Sequence, residues 1–205
     1  VIAHGGDVSY PTGGTNRVTA FASGLADEGF DVTIVVPEPD RQLPDRLSGV
    51  DVSTVSTPNS SILDEPVRAS LIVRRAKQLA DEQGATVQLE HSTLGGVGQL
   101  WGHRDYVLDM HDLAHSSSRY GDLPLGNAIQ RVIHGIESRA VTTASEIIVV
   151  SENMRTLVCE EWNLDPASVT VIPNGYANET VEPYRTDETV EGRVVFLGTL
   201  HPKLD

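Results

Sequence analysis

Polar side chains that could contact a ligand follow two predicted strands of the chain. His111 and Asp112 come directly after the apolar segment Tyr106–Met110, and the segment Glu90–Ser92 follows Thr86–Leu89. Open parallel sheets bind ligands at the carboxyl ends of their strands, which makes these side chains candidates for substrate contact. Either ring nitrogen of His111 can hydrogen-bond a ligand hydroxyl group, and the adjacent Asp112 could orient the ring. The alternative for His111 is a structural hydrogen bond.

A glycine-containing loop enters the first predicted helix. Gly13 and Gly14 let the backbone approach a ligand closely, and Thr15 opens a helix whose free N–H groups suit an anion such as a diphosphate. Neither a G-x-G-x-x-G fingerprint nor a P-loop sequence is present at this loop. The alternative is a plain turn.

Strands that alternate with helices must position these residues. Apolar runs and alternating patterns predict a parallel sheet with helices on both faces, which is an α/β, Rossmann-like fold. The pattern of Val50–Val55 indicates an edge strand with one wet face. The other predicted strands are Val1–His4, Val32–Val36, Thr86–Leu89, Tyr106–Met110, Ile147–Val150 and Val169–Ile172, and the predicted helices include Thr15–Glu28, Val67–Gln83 and Leu125–Thr143.

The most informative stretch runs from residue 145 to residue 176. A buried strand ends at Ser151, which can cap the following helix through its hydroxyl group. Pro173 stops the next strand, and Asn174-Gly175 forms a turn. A polar, acidic segment then precedes a new apolar strand at Arg193–Leu200.

This layout resembles the N-terminal domain of GT-B glycosyltransferases, in particular the retaining family 4. In that family a "VS…VIPNG" segment closes the first domain and "FVG" opens the second, much as VS…VIPNG and VFLG stand here. The segment TGGTNRVTAFASGL, with DEGFDVT after it, resembles the opening of the family, although Phe30 replaces the usual histidine.

The resemblance implies a domain organisation. Residues 1–178 would be the Rossmann-like acceptor-side domain, residues 179–192 an interdomain linker, and residues 193–205 the first strand of a truncated donor-binding domain. The alternative is that Arg193–Leu200 is the last strand of a complete single domain.

The resemblance also implies roles for the polar residues. A histidine at the place of His111, followed by an aspartate such as Asp112, contacts the donor sugar and is counted as catalytic. The donor diphosphate faces the loop of Gly13, Gly14 and Thr15. Where the family shows an arginine and a lysine on the donor phosphates, this chain has Thr199 and Lys203, so only the lysine of that pair is matched. The alternative for Lys203 is a solvated side chain.

The pair His91 and Ser92 resembles a family segment near the acceptor. The alternative for Ser92 is a helix cap. His115 completes H-x-x-x-H with His111, but this spacing in a loop does not bring two rings together, and we expect no metal site there.

The function implied is transfer of a sugar from a nucleotide-activated donor to an acceptor with retention of configuration. We expect a hexosyl- or related glycosyltransferase that needs no cofactor, since the nucleotide-sugar is a substrate, and an isolated 205-residue chain without activity. The acceptor could be a lipid-linked sugar, a polysaccharide or a small molecule. The alternatives are a non-catalytic nucleotide- or sugar-binding module of the same fold and a nucleotide-sugar epimerase.

The composition of the chain limits which partners it can bind and which cellular compartment it can occupy. The net charge is −14 and only two residues are lysine, an acidic surface that argues against nucleic acid and indicates a halophilic protein. The alternative is an ordinary acidic protein of a mesophile. The single cysteine, Cys159, is expected to be buried, and no apolar run has the length of a membrane span. We therefore expect a cytoplasmic protein, with peripheral contact at the inner face of the membrane as the alternative.

Overall fold

The computed structural model describes residues 1–58, 64–116, 125–175 and 191–192. Seven strands in these residues form one parallel sheet in the order β3-β2-β1-β4-β5-β6-β7. The strands are β1 (Ile2–Ala3), β2 (Thr33–Pro37), β3 (Asp51–Val55), β4 (Gln88–Glu90), β5 (Val107–Met110), β6 (Glu146–Val149) and β7 (Val169–Val171).

Five α-helices in the described ranges connect these strands. They are α1 (Gly13–Asp27), α2 (Glu65–Gln83), α3 (Ser92–Gly98), α4 (Gly126–Thr143) and α5 (Glu152–Trp162). Short 3-10 turns lie at Asp45–Leu47, Gln99–Trp101, Ala114–Ser116 and Pro166–Ser168.

The core lies on both faces of the sheet. Ile34 and its neighbour Val35 are both fully buried, but they belong to different apolar clusters because successive strand residues point to opposite faces. The cluster around Ile34 includes Val18 and Ala22 of α1, whereas the cluster around Val35 includes residues of α2, α4 and α5. A parallel sheet covered on both sides confirms the α/β, Rossmann-like prediction.

Several local predictions are confirmed. The strand Asp51–Val55 lies at one edge of the sheet, and none of its side chains is fully buried. Ser151 caps α5, its hydroxyl oxygen accepting from the N–H of Met154 at 3.1 Å. Cys159 is buried. Gly29 lies one position beyond the C-cap residue Glu28 and has φ +88°, the left-handed conformation in which many helices end.

Helix α3 has an unusual composition, since three of its seven residues are glycine. Its Gly96 packs so closely on α4 that an added Cβ would lie 2.3 Å from Ile136 Cγ2. Gly95 is similarly close to Ala140. The pair Gly95-Gly96 thus serves helix packing.

The chain divides into a compact unit Val1–Asn174 and a second unit Gly175–Asp205. The predicted strand Arg193–Leu200, Lys203 and most of the predicted linker lie outside the described residues. Within the described ranges, every helix is too short or too polar to cross a bilayer.

Candidate active site

Three histidines directly follow three neighbouring strands of the sheet. His4 follows β1, His91 follows β4 and His111 follows β5. The chain leaves β1 toward β2 on one side and reaches β4 on the other, so the sheet has its topological switch point between β1 and β4. Ligands of this fold class bind at the carboxyl edge of such a point.

A cavity of about 280 Å³ opens at this edge. It is bounded by the glycine segment after β1, the start of α2 and the ends of β4 and β5. Its lining includes His4, Gly5, Gly6, Glu65, Arg68, Glu90, His91, Thr93, His111 and Asp112. The structure therefore brings together three of the predicted residues, His91, His111 and Asp112.

His111 is held by two buried carboxylates. Its Nε2 atom lies 3.0 Å from Glu90 Oε2 and 3.6 Å from Asp109 Oδ2. The Glu90 contact falls outside hydrogen-bond angles, so charge attraction holds this pair. Burial disfavours the imidazolium, but the two carboxylates outweigh burial and raise the pKa of His111 to about 9. At neutral pH, His111 is therefore a cation at the cavity wall.

The two carboxylates are direct neighbours, because Glu90 on β4 is in register with Asp109 on β5. Their repulsion is offset by Arg17 of α1, whose Nε and second terminal nitrogen bond the two Asp109 oxygens at 2.8 and 2.9 Å. Burial disfavours the charged form of Asp109, yet His111 and Arg17 together hold its pKa below the ordinary value. Burial raises the pKa of Glu90.

Arg17 also reaches the end of the compact unit. Its remaining terminal nitrogen donates to the carbonyl oxygen of Ile172 at 2.8 Å and to Asn174 Oδ1 at 3.0 Å. Arg17 thus ties the carboxylate pair to the segment that leaves β7. Sequence reasoning missed this residue, although an aspartate inside the buried strand VLDM signals the need for a cation.

His4, unlike His111, is uncharged at neutral pH. Burial, with repulsion from His111 and His91, lowers the pKa of His4 to about 4, so the ring is neutral at pH 7. Sequence reasoning also missed His4, although it follows a strand just as His111 does.

His91 forms a pair with Asp112. Its Nδ1 accepts from the N–H of Thr93 at 3.3 Å, so its Nε2 carries the proton and donates to Asp112 Oδ1 at 2.8 Å. Asp112 was expected to orient His111, but the closest carboxylates to that ring belong to Glu90 and Asp109. The His91 backbone has φ +80°, a strained conformation for a residue with a side chain.

The N-terminus of α1 faces the same histidines. A Cβ atom on Gly14 would lie 3.6 Å from the His4 ring and 3.8 Å from His111 Nδ1, whereas Gly13 faces open space. No acceptor for the Gly13 and Gly14 amides lies within the described part of the chain. Thr15 is buried in a capping box with Thr12, and its backbone N–H donates to Thr12 Oγ1 at 3.3 Å, so it stabilises the start of α1.

Ser92 lies away from the cavity and is 1% exposed. Its hydroxyl group donates to Glu137 Oε1 at 2.7 Å. The fully buried Glu137 also accepts the backbone N–H groups of Ala114 and His115 at 2.8 and 2.9 Å. Glu137, which sequence reasoning did not single out, thus fixes the turn that follows His111.

The fold and the site define a class: an α/β, Rossmann-like domain of the kind that forms the N-terminal half of GT-B enzymes. The sequence model of Glycosyltransferase Family 4 matches residues 11–179, and the chain belongs to that family. A search among curated proteins gave no significant match. At family level the chain is a glycosyltransferase, with a sugar donor and an acceptor as substrates.

Proposed function

We propose that the protein transfers a sugar from a nucleotide-activated donor to an acceptor with retention of configuration. Hexosyl transfer without a cofactor or metal ion is the form that the family resemblance favours. The observation that carries the proposal is the convergence of the α1 N-terminus and the His111 cation at the switch point.

The donor diphosphate is proposed to bind at the glycine loop. The amides of Gly13 and Gly14, which have no acceptor among the described residues, and the positive end of the α1 dipole attract an anion. Thr15 is proposed to hold the start of this helix through its capping box with Thr12. For Lys203, which lies outside the described residues, a contact with the donor phosphates is what the family resemblance implies. A small residue at position 14 keeps this approach open, since its Cβ direction points at both histidines.

His111 is proposed to stabilise the developing negative charge of the departing diphosphate or to hold a hydroxyl group of the donor sugar. With Nε2 against Glu90, the Nδ1–H group faces Gly14, where the donor is proposed to bind. The cation is available at neutral pH because its pKa is raised to about 9. Its contribution is electrostatic and positional, with no covalent step at the ring.

His91 and Asp112 are proposed to contact the acceptor. Both line the cavity, and their 2.8 Å hydrogen bond presents a polar edge suited to hydroxyl groups. The backbone strain at His91 supports this role, because such strain concentrates at functional sites. Ser92 supports the site through Glu137.

The test is turnover of the full-length protein with a panel of nucleotide-sugars, in buffer containing EDTA. His111→Ala should lower turnover by about 100-fold or more while the melting temperature shifts by only a few degrees. His115→Ala is the matched control, since this ring lies on the same loop and contacts Glu137. Equal losses in the two variants, or an inverted product anomer by NMR, would contradict the proposal.

A further inference from the structure

A second cluster of ligand-type side chains lies outside the candidate active site. His115 comes from the turn Ala114–Ser116, His134 from α4 and Glu161 from α5. One ligand atom from each lies within 4.8 Å of the other two. His134 Nε2 and Glu161 Oε1 are already 2.8 Å apart. The cluster thus joins three segments that are separate along the chain.

The His115 ring is held in the tautomer that a metal ion requires. Its Nδ1 lies 2.6 Å from Oε2 of Glu137, a fully buried carboxylate that also accepts the backbone N–H of His115. The Nδ1–H group therefore donates to the carboxylate, and the Nε2 atom of the neutral ring keeps a lone pair for an ion. A carboxylate behind a histidine is the usual second layer of a protein metal site.

Aromatic packing fixes the second ring. His134 meets His115 edge to face, with ring centroids 4.9 Å apart and planes at 86°. Its other neighbour is Trp162, stacked at 6.0 Å with planes at 16°. Both imidazoles are therefore oriented before any ion arrives, which lowers the entropic cost of binding one.

We propose that His115, His134 and Glu161 bind a divalent transition-metal ion of the Zn²⁺ class. Two imidazoles and one carboxylate are a known tetrahedral donor set that leaves the fourth position open to water. That geometry places neighbouring ligand atoms roughly 3.3 Å apart, compared with separations of up to 4.8 Å here, so the three groups need only a small approach to bind an ion. The adjoining cavity of about 510 Å³ gives the ion a route in, although Arg131 on its wall opposes a cation.

The other set of ligand-type groups in the described residues is Glu90, Asp109 and His111. There Arg17 already occupies both Asp109 oxygens, and His111 is protonated at neutral pH. A cation at that place would meet two positive side chains. The cluster of His115 is therefore the better metal site.

A bound ion would tie the turn that follows His111 to α4 and α5. Because the unfolded chain has no such cluster, ion binding would add directly to the stability of the fold. The proposed site is independent of the donor, the acceptor and the transfer reaction.

The experiment titrates ZnCl₂ into the intact, metal-free chain by calorimetry and follows the melting temperature in parallel. At constant ionic strength we expect one Zn²⁺ per chain and a melting temperature that rises with Zn²⁺ concentration, while the same concentration of Mg²⁺, which prefers oxygen ligands, has no effect. Co²⁺ in place of Zn²⁺ should show the visible absorption of tetrahedral coordination.

Glu161→Gln should weaken Zn²⁺ binding by about tenfold or more, as loss of a ligand requires. Glu160→Gln is the matched control, because it removes the same charge from the preceding residue of α5, which is exposed. This variant should bind Zn²⁺ as the wild type does. His134→Asn should abolish the Co²⁺ absorption. Absence of Zn²⁺ binding, or equal affinity in Glu161→Gln and Glu160→Gln, would overturn the proposal.

Discussion

His4 and His111 lie at the same edge of the sheet but differ in charge at neutral pH, and each charge state has a local cause. His4 is neutral because it is buried beside other imidazoles, whereas His111 is charged because Glu90 and Asp109 lie beside it. Arg17 balances the second of these carboxylates. The site is therefore nearly neutral in sum although it contains four charged groups.

We expect stability to be highest near pH 6.5. The folded pKa of His111 lies above the unfolded value of 6.5, so its stabilisation is complete below pH 6.5 and is lost as pH rises through about 9. The folded pKa of His4 lies below 6.5, so its neutral burial costs stability as pH falls from 6.5 through about 4. The His111 effect is on the order of 1–3 kcal/mol.

Urea unfolding at constant ionic strength across pH 4 to about 9 measures this. His111→Gln should flatten the alkaline limb, and His4→Gln the acid limb. Because Glu90 also titrates with a raised pKa, the comparison is the difference between each variant and the wild type. An alkaline limb that persists unchanged in His111→Gln would show that other groups produce it.

Sequence reasoning singled out cavity residues that directly follow a predicted strand. His91, His111 and Asp112 directly follow strands, and the structure places them on one cavity. Arg17 escaped prediction because it lies 92 residues from Asp109, and nothing local links the two. The hydrogen bond between Asp112 and the His91 ring also escaped prediction, because the two residues are 21 positions apart along the chain.

At the scale of elements, the N-terminus of α1 is the part most sensitive to a small change. Gly14→Val should weaken binding of a nucleotide-sugar more than it weakens the fold. The new Cβ fits at 3.6 Å from His4, but the branched methyl groups would extend into the space proposed for the diphosphate.

Calorimetry of donor binding and thermal unfolding of the full-length protein separate the two effects. Gly24→Val is the matched control, since it makes the same substitution in the same helix where an added Cβ meets nothing within 4 Å. If folded Gly14→Val binds the donor with unchanged affinity, the glycine loop is a plain turn without a role in donor binding.

The contact between α3 and α4 is the most crowded in the described residues. Gly96→Ala should lower stability by about 1–3 kcal/mol, because its Cβ would lie 2.5 Å from the carbonyl oxygen of Ile136 and the helices must separate. Gly135→Ala, one residue from Ile136 but facing open space, should instead stabilise α4 by up to about 1 kcal/mol. Thermal unfolding of both variants checks this, and equal shifts would show that packing does not decide the effect.

Elements with strong periodicity were predicted within a few residues of their observed ends. Helix α3 was not among the predicted helices, because its three glycines give it a weak intrinsic preference for helix. It forms because close packing on α4 requires residues without side chains, and that requirement is visible only once α4 is in place. Tertiary contact rather than local preference determines this helix.

At the scale of the whole molecule, the net charge determines how stability depends on salt. With −14 on 205 residues, we expect the melting temperature to rise between dilute buffer and molar KCl. The rise should be steepest below about 0.2 M, because the screening length falls from about 30 Å at 0.01 M to about 8 Å at 0.15 M. A flat or falling curve of melting temperature against KCl concentration would remove the halophilic interpretation.

Sequence reasoning reached the α/β class and the family, which the sheet and the family match confirm. It could not reach the donor or the acceptor, because specificity depends on side chains that converge only in the folded cleft. The role of Lys203 and the predicted strand Arg193–Leu200 stay predictions.

The two-residue strand β1 has a consequence for how the chain is made. It pairs with β2 on one side and with β4 on the other, and β4 begins only at Gln88. During synthesis, nearly ninety residues from the start of β1 onward must therefore leave the ribosome before both edges of β1 are covered. Until then one side of β1 is open to strands of neighbouring molecules, and the mutual repulsion of acidic chains on a polysome would limit such mispairing.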